Sequence, residues 1–168
     1  VISHPFSADG LESHDRLAEA DSFGKPIFVD CAFFGLCGDI EFDFSRYNNI
    51  HSVCFSLSKT FSTGLRRTGM LYTIDPYPST YYENWKYPFI AGAEYHYQLL
   101  ENYSPDFMYS SYRAKQIEIC AAFDIEPSDT VIFGLDRTDK WKSYARGYIN
   151  RVCISELLYR ANQDSLDV

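Results

Sequence analysis

The sequence predicts an α/β fold built on a mainly parallel sheet, and three observations support that class. Short apolar runs alternate with helix-compatible segments through the first half of the chain. The 168 residues amount to about one ordinary domain, long enough to bury a real core. A hydrophobic share of 46% with 23% charged residues is globular rather than disordered or membrane-like.

The elements follow in order. Residues 1–3 form a short apolar stub, and the turn-rich stretch 5–10 ends it. Residues 11–23 read as a helix, with Leu11, Leu17 and Ala18 on its apolar side and Gly24 as the stop signal. Pro26 leads into the buried-strand run Ile27, Phe28, Val29, which finishes at Asp30. Residues 52–55 and 69–73 are the next strands. Beyond them, residues 92–102 and 105–123 read as helices, the second opened by Ser104 as cap and Pro105 at its first position. Met108, Tyr112, Ile119 and Ala122 give that helix a partial apolar face. Residues 130–135 and 151–155 are strand candidates, and 155–161 begins a last helix.

Several classes of function lose support at this level. The formal charge is −8 and no basic stripe exists, so a nucleic-acid partner has little electrostatic basis. No apolar run approaches the ~18 residues of a spanning helix, and no signal peptide is visible. Cys31, Cys37, Cys54, Cys120 and Cys153 are odd in number and lack CxxC spacing, which favours free thiols and a reducing, cytoplasmic compartment. His14, His51 and His96 show no metal-ligand pattern, so no metal is expected. Tyrosine and phenylalanine dominate an aromatic share of 17%, which reads as a packed core with some interface tyrosines.

In a parallel reading, Asp30 and Lys59 both fall just past the carboxyl ends of their strands. Ligands of open α/β sheets bind at that edge. Two chemically capable side chains therefore share one rim.

The motifs sharpen this. Ser56-Leu57-Ser58-Lys59, followed by Arg67-Thr68-Gly69, resembles the Ser-x-x-Lys … Arg-x-Gly signature of the class I/II aminotransferases, which are fold-type-I pyridoxal-phosphate enzymes. The lysine-to-arginine spacing of eight matches as well. Asp30-Cys31-Ala32-Phe33 resembles that family's Asp-x-Ala-Tyr motif, and His4-Pro5 with Gly10 stands where it has Asn-Pro-x-Gly. Arg151-Val152-Cys153-Ile154 is similar to the late strand whose arginine holds the substrate carboxylate. The resemblance runs from His4 to about Ser155 and is looser after Asp75.

What the resemblance implies is specific. Residues 1–80 would be part of a cofactor-binding large domain with a mainly parallel sheet. Residues 81–168 would supply linking helices and a reduced α+β small domain, with the boundary between Pro76 and Pro88. The implied cofactor is pyridoxal 5'-phosphate. Lys59 would take its aldehyde as a Schiff base and carry the α-proton, and Asp30 would keep the pyridine nitrogen protonated. Ser56, Ser58 and Arg67 would anchor the phosphate. Phe33 and His4 stand where tyrosine and asparagine normally bond the ring oxygen; a histidine can still donate there, but a phenylalanine cannot. Arg151 would hold the substrate carboxylate, with Arg146 as the alternative ligand and a structural ion pair as the plainer role.

The implied activity is amino-group transfer between an amino acid and a 2-oxo acid, in a homodimer. Decarboxylation, racemisation or lyase chemistry on the same cofactor is the first alternative. A degenerate, non-catalytic domain is the second. Val1 is not methionine, and only three residues precede His4, where the family carries a glycine-rich phosphate loop. A fragment of a longer enzyme is therefore the expectation.

Overall fold

The computed structural model describes residues 1–64, 66–75 and 90–164. It is a mixed α/β structure with two four-stranded sheets. In the first, β1 (Ile2–Ser3), β2 (Ile27–Cys31), β3 (Ile50–Ser56) and β4 (Gly69–Thr73) lie in sequence order. The β1–β2 and β2–β3 pairings are parallel, and β3–β4 is antiparallel. The sheet is thus mostly parallel, with β4 running antiparallel on its edge.

Burial alternates along β2: Ile27, Val29 and Cys31 point into the core, and Phe28 and Asp30 take the other face. Helix α1 (His14–Ser22) connects β1 to β2 and seats Leu17 against that buried set. Each such fully buried side chain contributes about 1.5–3 kcal/mol. The helix starts at His14, not Leu11, because residues 6–11 close a turn of their own: Gly10 N–H donates to Phe6 O at 2.7 Å and Phe6 N–H to Leu11 O at 2.7 Å. At the other end Gly24, at φ +60°, stops it.

After the short helix α2 (Leu57–Thr60) come α3 (Ile90–Asn102) and α4 (Phe107–Phe123). Ser104 and Pro105 lie ahead of α4 rather than at its first turn, since Phe107 N–H donates back to Ser104 O and Asp106 takes the cap position. The expected boundary between Pro76 and Pro88 falls outside the described residues.

The second sheet is antiparallel, in the order β5 (Glu126–Pro127), β6 (Phe133–Asp136), β8 (Ile149–Cys153), β7 (Ala145–Arg146). Helix α5 (Ser155–Asp164) closes the chain, and Ser155 belongs to it rather than to a strand. Cys120, Ile125, Ile154 and Leu158 form this half's buried cluster, with Tyr112 and Ile119 of the expected α4 face packed on it. Strand β6 begins at Phe133, not Thr130, because Thr130 and Val131 turn to meet the first half: Val131 N–H donates to Leu36 O at 2.7 Å. No helix among the described residues is long and apolar enough to cross a membrane.

Candidate functional site

The site is built on the turn between β3 and β4. Register pairs Ser56 with Gly69 and Cys54 with Asp30, so the ends of three strands meet there. A Cβ on Gly69 would lie 2.4 Å from Phe55 O, so only glycine permits this approach. The turn ties itself together. Leu57 N–H donates to Thr68 O at 3.0 Å, Thr63 N–H to Ser58 O at 2.9 Å, and Thr68 N–H to Ser58 Oγ at 2.9 Å. The buried Thr60 hydroxyl contacts both Phe34 O (2.6 Å) and Ser56 O (2.9 Å), fastening the loop after β2 to the start of α2.

A cavity of about 360 Å³ results, with Asp30, Ser56, Ser58, Lys59 and Arg67 in its wall. A neighbouring cavity of about 430 Å³ shares Ser56, Ser58, Lys59 and Arg67 and adds Phe33, Leu36, Ile132 and Ser155. Lys59 is exposed, with Nζ 4.8 Å from the centre of the Phe33 ring, a cation–π distance. Asp30 lies within β2, one residue before its end, rather than past it as expected. Cys54 beside it stays a neutral thiol, since burial and then the Asp30 carboxylate push its pKa up.

The chain matches no protein-family model, no curated protein and no solved structure.

Five of the expected site residues line one cavity, and Phe33 joins them through the second. Ser58 reaches the cavity, but its hydroxyl donates to Arg66 O at 3.1 Å, which commits it to the turn. His4 lines neither cavity. It is fully buried, with Nδ1 3.0 Å from Ser13 Oγ and Nε2 2.7 Å from Glu41 O, so both ring nitrogens are engaged away from Lys59. Burial, against the hydrogen bond to Glu41, pulls its pKa below the ordinary imidazole value.

Arg151 stands one aromatic layer back. Its guanidinium lies 4.2 Å from the centre of the Phe133 ring, and Phe133 packs edge-on to Phe33 at 5.2 Å. Nη1 donates to Ser7 O, while the buried Nε has no hydrogen-bond partner. Burial, and then the positive charge of Arg146, lower the Arg151 pKa. Sequence reading missed Ile132 and Ser155, which reach Lys59 only through the packing of the second half. It missed Thr60 too, although a threonine beside a motif lysine carried a local signal.

Proposed function

We propose that the chain carries the lysine half of a pyridoxal-phosphate site and acts as an aminotransferase on an amino acid and a 2-oxo acid, as part of a homodimeric, longer enzyme of fold type I. One observation carries the reading: a carboxylate, a primary amine and a guanidinium, drawn from Asp30, Lys59 and Arg67, line a single cavity. Those three groups fit the three polar ends of that cofactor: ring nitrogen, aldehyde and phosphate.

When bound, the cofactor supplies an aldehyde and an electron-withdrawing ring. Lys59 would hold the aldehyde, and its amine would carry the substrate's α-proton. Asp30 would keep a proton on the ring nitrogen. Arg67 and Ser56 would hold the phosphate, and Ser58 positions their turn by its bonds to Thr68 N–H and Arg66 O. Phe33, Leu36 and Ile132 offer the substrate an apolar wall that excludes water. The resemblance gives the substrate carboxylate to Arg151 or Arg146, although neither is among the residues lining the two cavities.

Two features favour a non-catalytic descendant as the second reading: Phe33 has no hydroxyl, and His4 is engaged elsewhere. One experiment separates them. Pyridoxal phosphate added to the protein should give a yellow absorbance that borohydride fixes and that Lys59→Ala lacks. An amino acid should then convert the cofactor to its pyridoxamine form. Colour without conversion supports the non-catalytic reading, return of the aldehyde form with a changed substrate supports a lyase, decarboxylase or racemase, and no Lys59-dependent colour ends the proposal.

A further inference from the structure

His4 follows β1, Glu12 precedes α1, and His14 is the first residue of that helix, so one connection supplies three ligating side chains. They offer ligand atoms that all lie within 4.8 Å of one another. None of them lines the Lys59 cavities.

The hydrogen bonds around them fix how the rings face. His14 Nδ1 lies 2.6 Å from Tyr47 Oη, and that hydroxyl donates its own proton to His14 O at 3.2 Å. Nδ1 is therefore the donor, and the Nε2 lone pair points the other way. His4 Nδ1 lies 3.0 Å from Ser13 Oγ, whose proton goes to Ser3 O at 2.9 Å; Ser13 N–H stands farther off, at 3.4 Å. With an ion on Nε2, His4 carries its proton on Nδ1 and donates it to Ser13 Oγ; without one the proton sits on Nε2 and Nδ1 accepts from Ser13 N–H. Each imidazole thus has a hydroxyl behind it that can fix the ring's orientation.

Both Nε2 atoms converge on one oxygen. His4 Nε2 is 2.7 Å and His14 Nε2 3.1 Å from Glu41 O. His14 Nε2 is also 3.4 Å from Glu12 Oε1 and 3.8 Å from Glu41 Oε2. Without an ion, a protonated Nε2 donates to Glu41 O; a cation in that proton's place would lie between the same nitrogens and oxygens. Tetrahedral bonds of about 2.0–2.2 Å set neighbouring ligand atoms about 3.3–3.6 Å apart; the Glu12 contact falls in that range, and the others would have to shift by a few tenths of an ångström to reach it.

We infer that His4, Glu12 and His14, with an oxygen of Glu41, form a binding site for one divalent transition-metal ion of the Zn²⁺ type. Two imidazoles and two oxygens suit that ion, and four protein ligands make the site closed, hence structural. Its effect is to fasten the loop bearing Glu41 to the end of β1 and the start of α1.

The test is zinc uptake by the chelator-treated full chain. The expected result is one ion per chain and a raised Tm. The cobalt-loaded protein should lack a thiolate charge-transfer band, which separates this site from the free cysteines. Glu12→Gln, at an exposed position, and His14→Gln should each weaken zinc binding at least tenfold, while Lys59-dependent uptake of pyridoxal phosphate is unchanged. Absence of stoichiometric zinc, a thiolate spectrum, or an unchanged affinity in Glu12→Gln would overturn the inference.

Discussion

Asp30 occupies the β2 position whose side chain leaves the core, while Val29 and Cys31 on either side are fully buried. Its backbone is fixed from both flanks: His4 N–H donates to Asp30 O at 2.9 Å, and register holds it beside Cys54. A carboxylate so placed can act on a bound ring without moving, and that argues for a substitution that preserves shape. Asp30→Asn should leave Lys59 able to take up the cofactor but slow the amino-transfer half-reaction by on the order of 10²-fold, the cost of losing a preorganised charge. Single-turnover absorbance changes measure this; a variant as fast as the parent would remove Asp30 from the mechanism. At this scale the cluster from Ser56 to Gly69 was legible because its residues are neighbours in sequence. The pairing of His4 with His14 was not, since nothing in their spacing reveals that Glu41 folds back between them.

At the scale of elements, β6 and β8 are joined by more than their ladder. Burial pushes the Asp136 carboxyl up, but hydrogen bonds from the Thr138 hydroxyl, the Asn150 amide and the N–H groups of Thr138 and Trp141 outweigh it and hold the pKa at about 2. The corresponding distances are 2.5, 2.9, 3.0 and 3.0 Å. An unfolded aspartate titrates near about 3.9. Because the folded value is the lower one, the unfolded chain takes up the proton first. The stabilisation is thus complete above about pH 4 and is lost as pH falls through about 2. Urea midpoints followed down through that window should fall for the parent and stay flatter for Asp136→Asn; equal slopes would show that the lock does not operate.

The same scale shows why some elements escaped the sequence. Strand β4, five residues long, matched its expected limits because its run is bounded by Gly69 and by Asp75. Strands β5 and β7 have two residues each, too short for any alternation to register. In α4 the buried face holds Gln116, whose amide nitrogen reaches Ser128 O (2.9 Å), Thr130 O (3.1 Å) and Phe133 O (2.8 Å). A polar residue satisfied by distant carbonyls looks like a surface residue in sequence.

For the whole molecule, the joint between the two sheets decides whether Ile132 and Ser155 reach Lys59 at all. It rests on backbone approach at Gly10. The buried Ser128 hydroxyl donates to Asp9 O at 2.7 Å and the Thr130 hydroxyl to Gly10 O at 2.8 Å. Gly10 has φ +72°, and a Cβ there would stand 2.6 Å from Ser128 Oγ and 2.7 Å from Thr130 Oγ1. Gly10→Ala must therefore meet left-handed strain and a collision together, and should cost about 2–4 kcal/mol. Gly24 isolates the first of these, because it shares the positive φ, at +60°, with nothing within 4 Å of an added Cβ. Gly24→Ala should cost only about 1–2 kcal/mol. Denaturant unfolding of the two variants measures the difference. A larger loss at Gly10, with weakened cofactor uptake at Lys59, would mean that the second half holds the lysine cavity in shape. Equal losses would mean that the joint at Gly10 is slack and that the cavity depends on the first sheet alone.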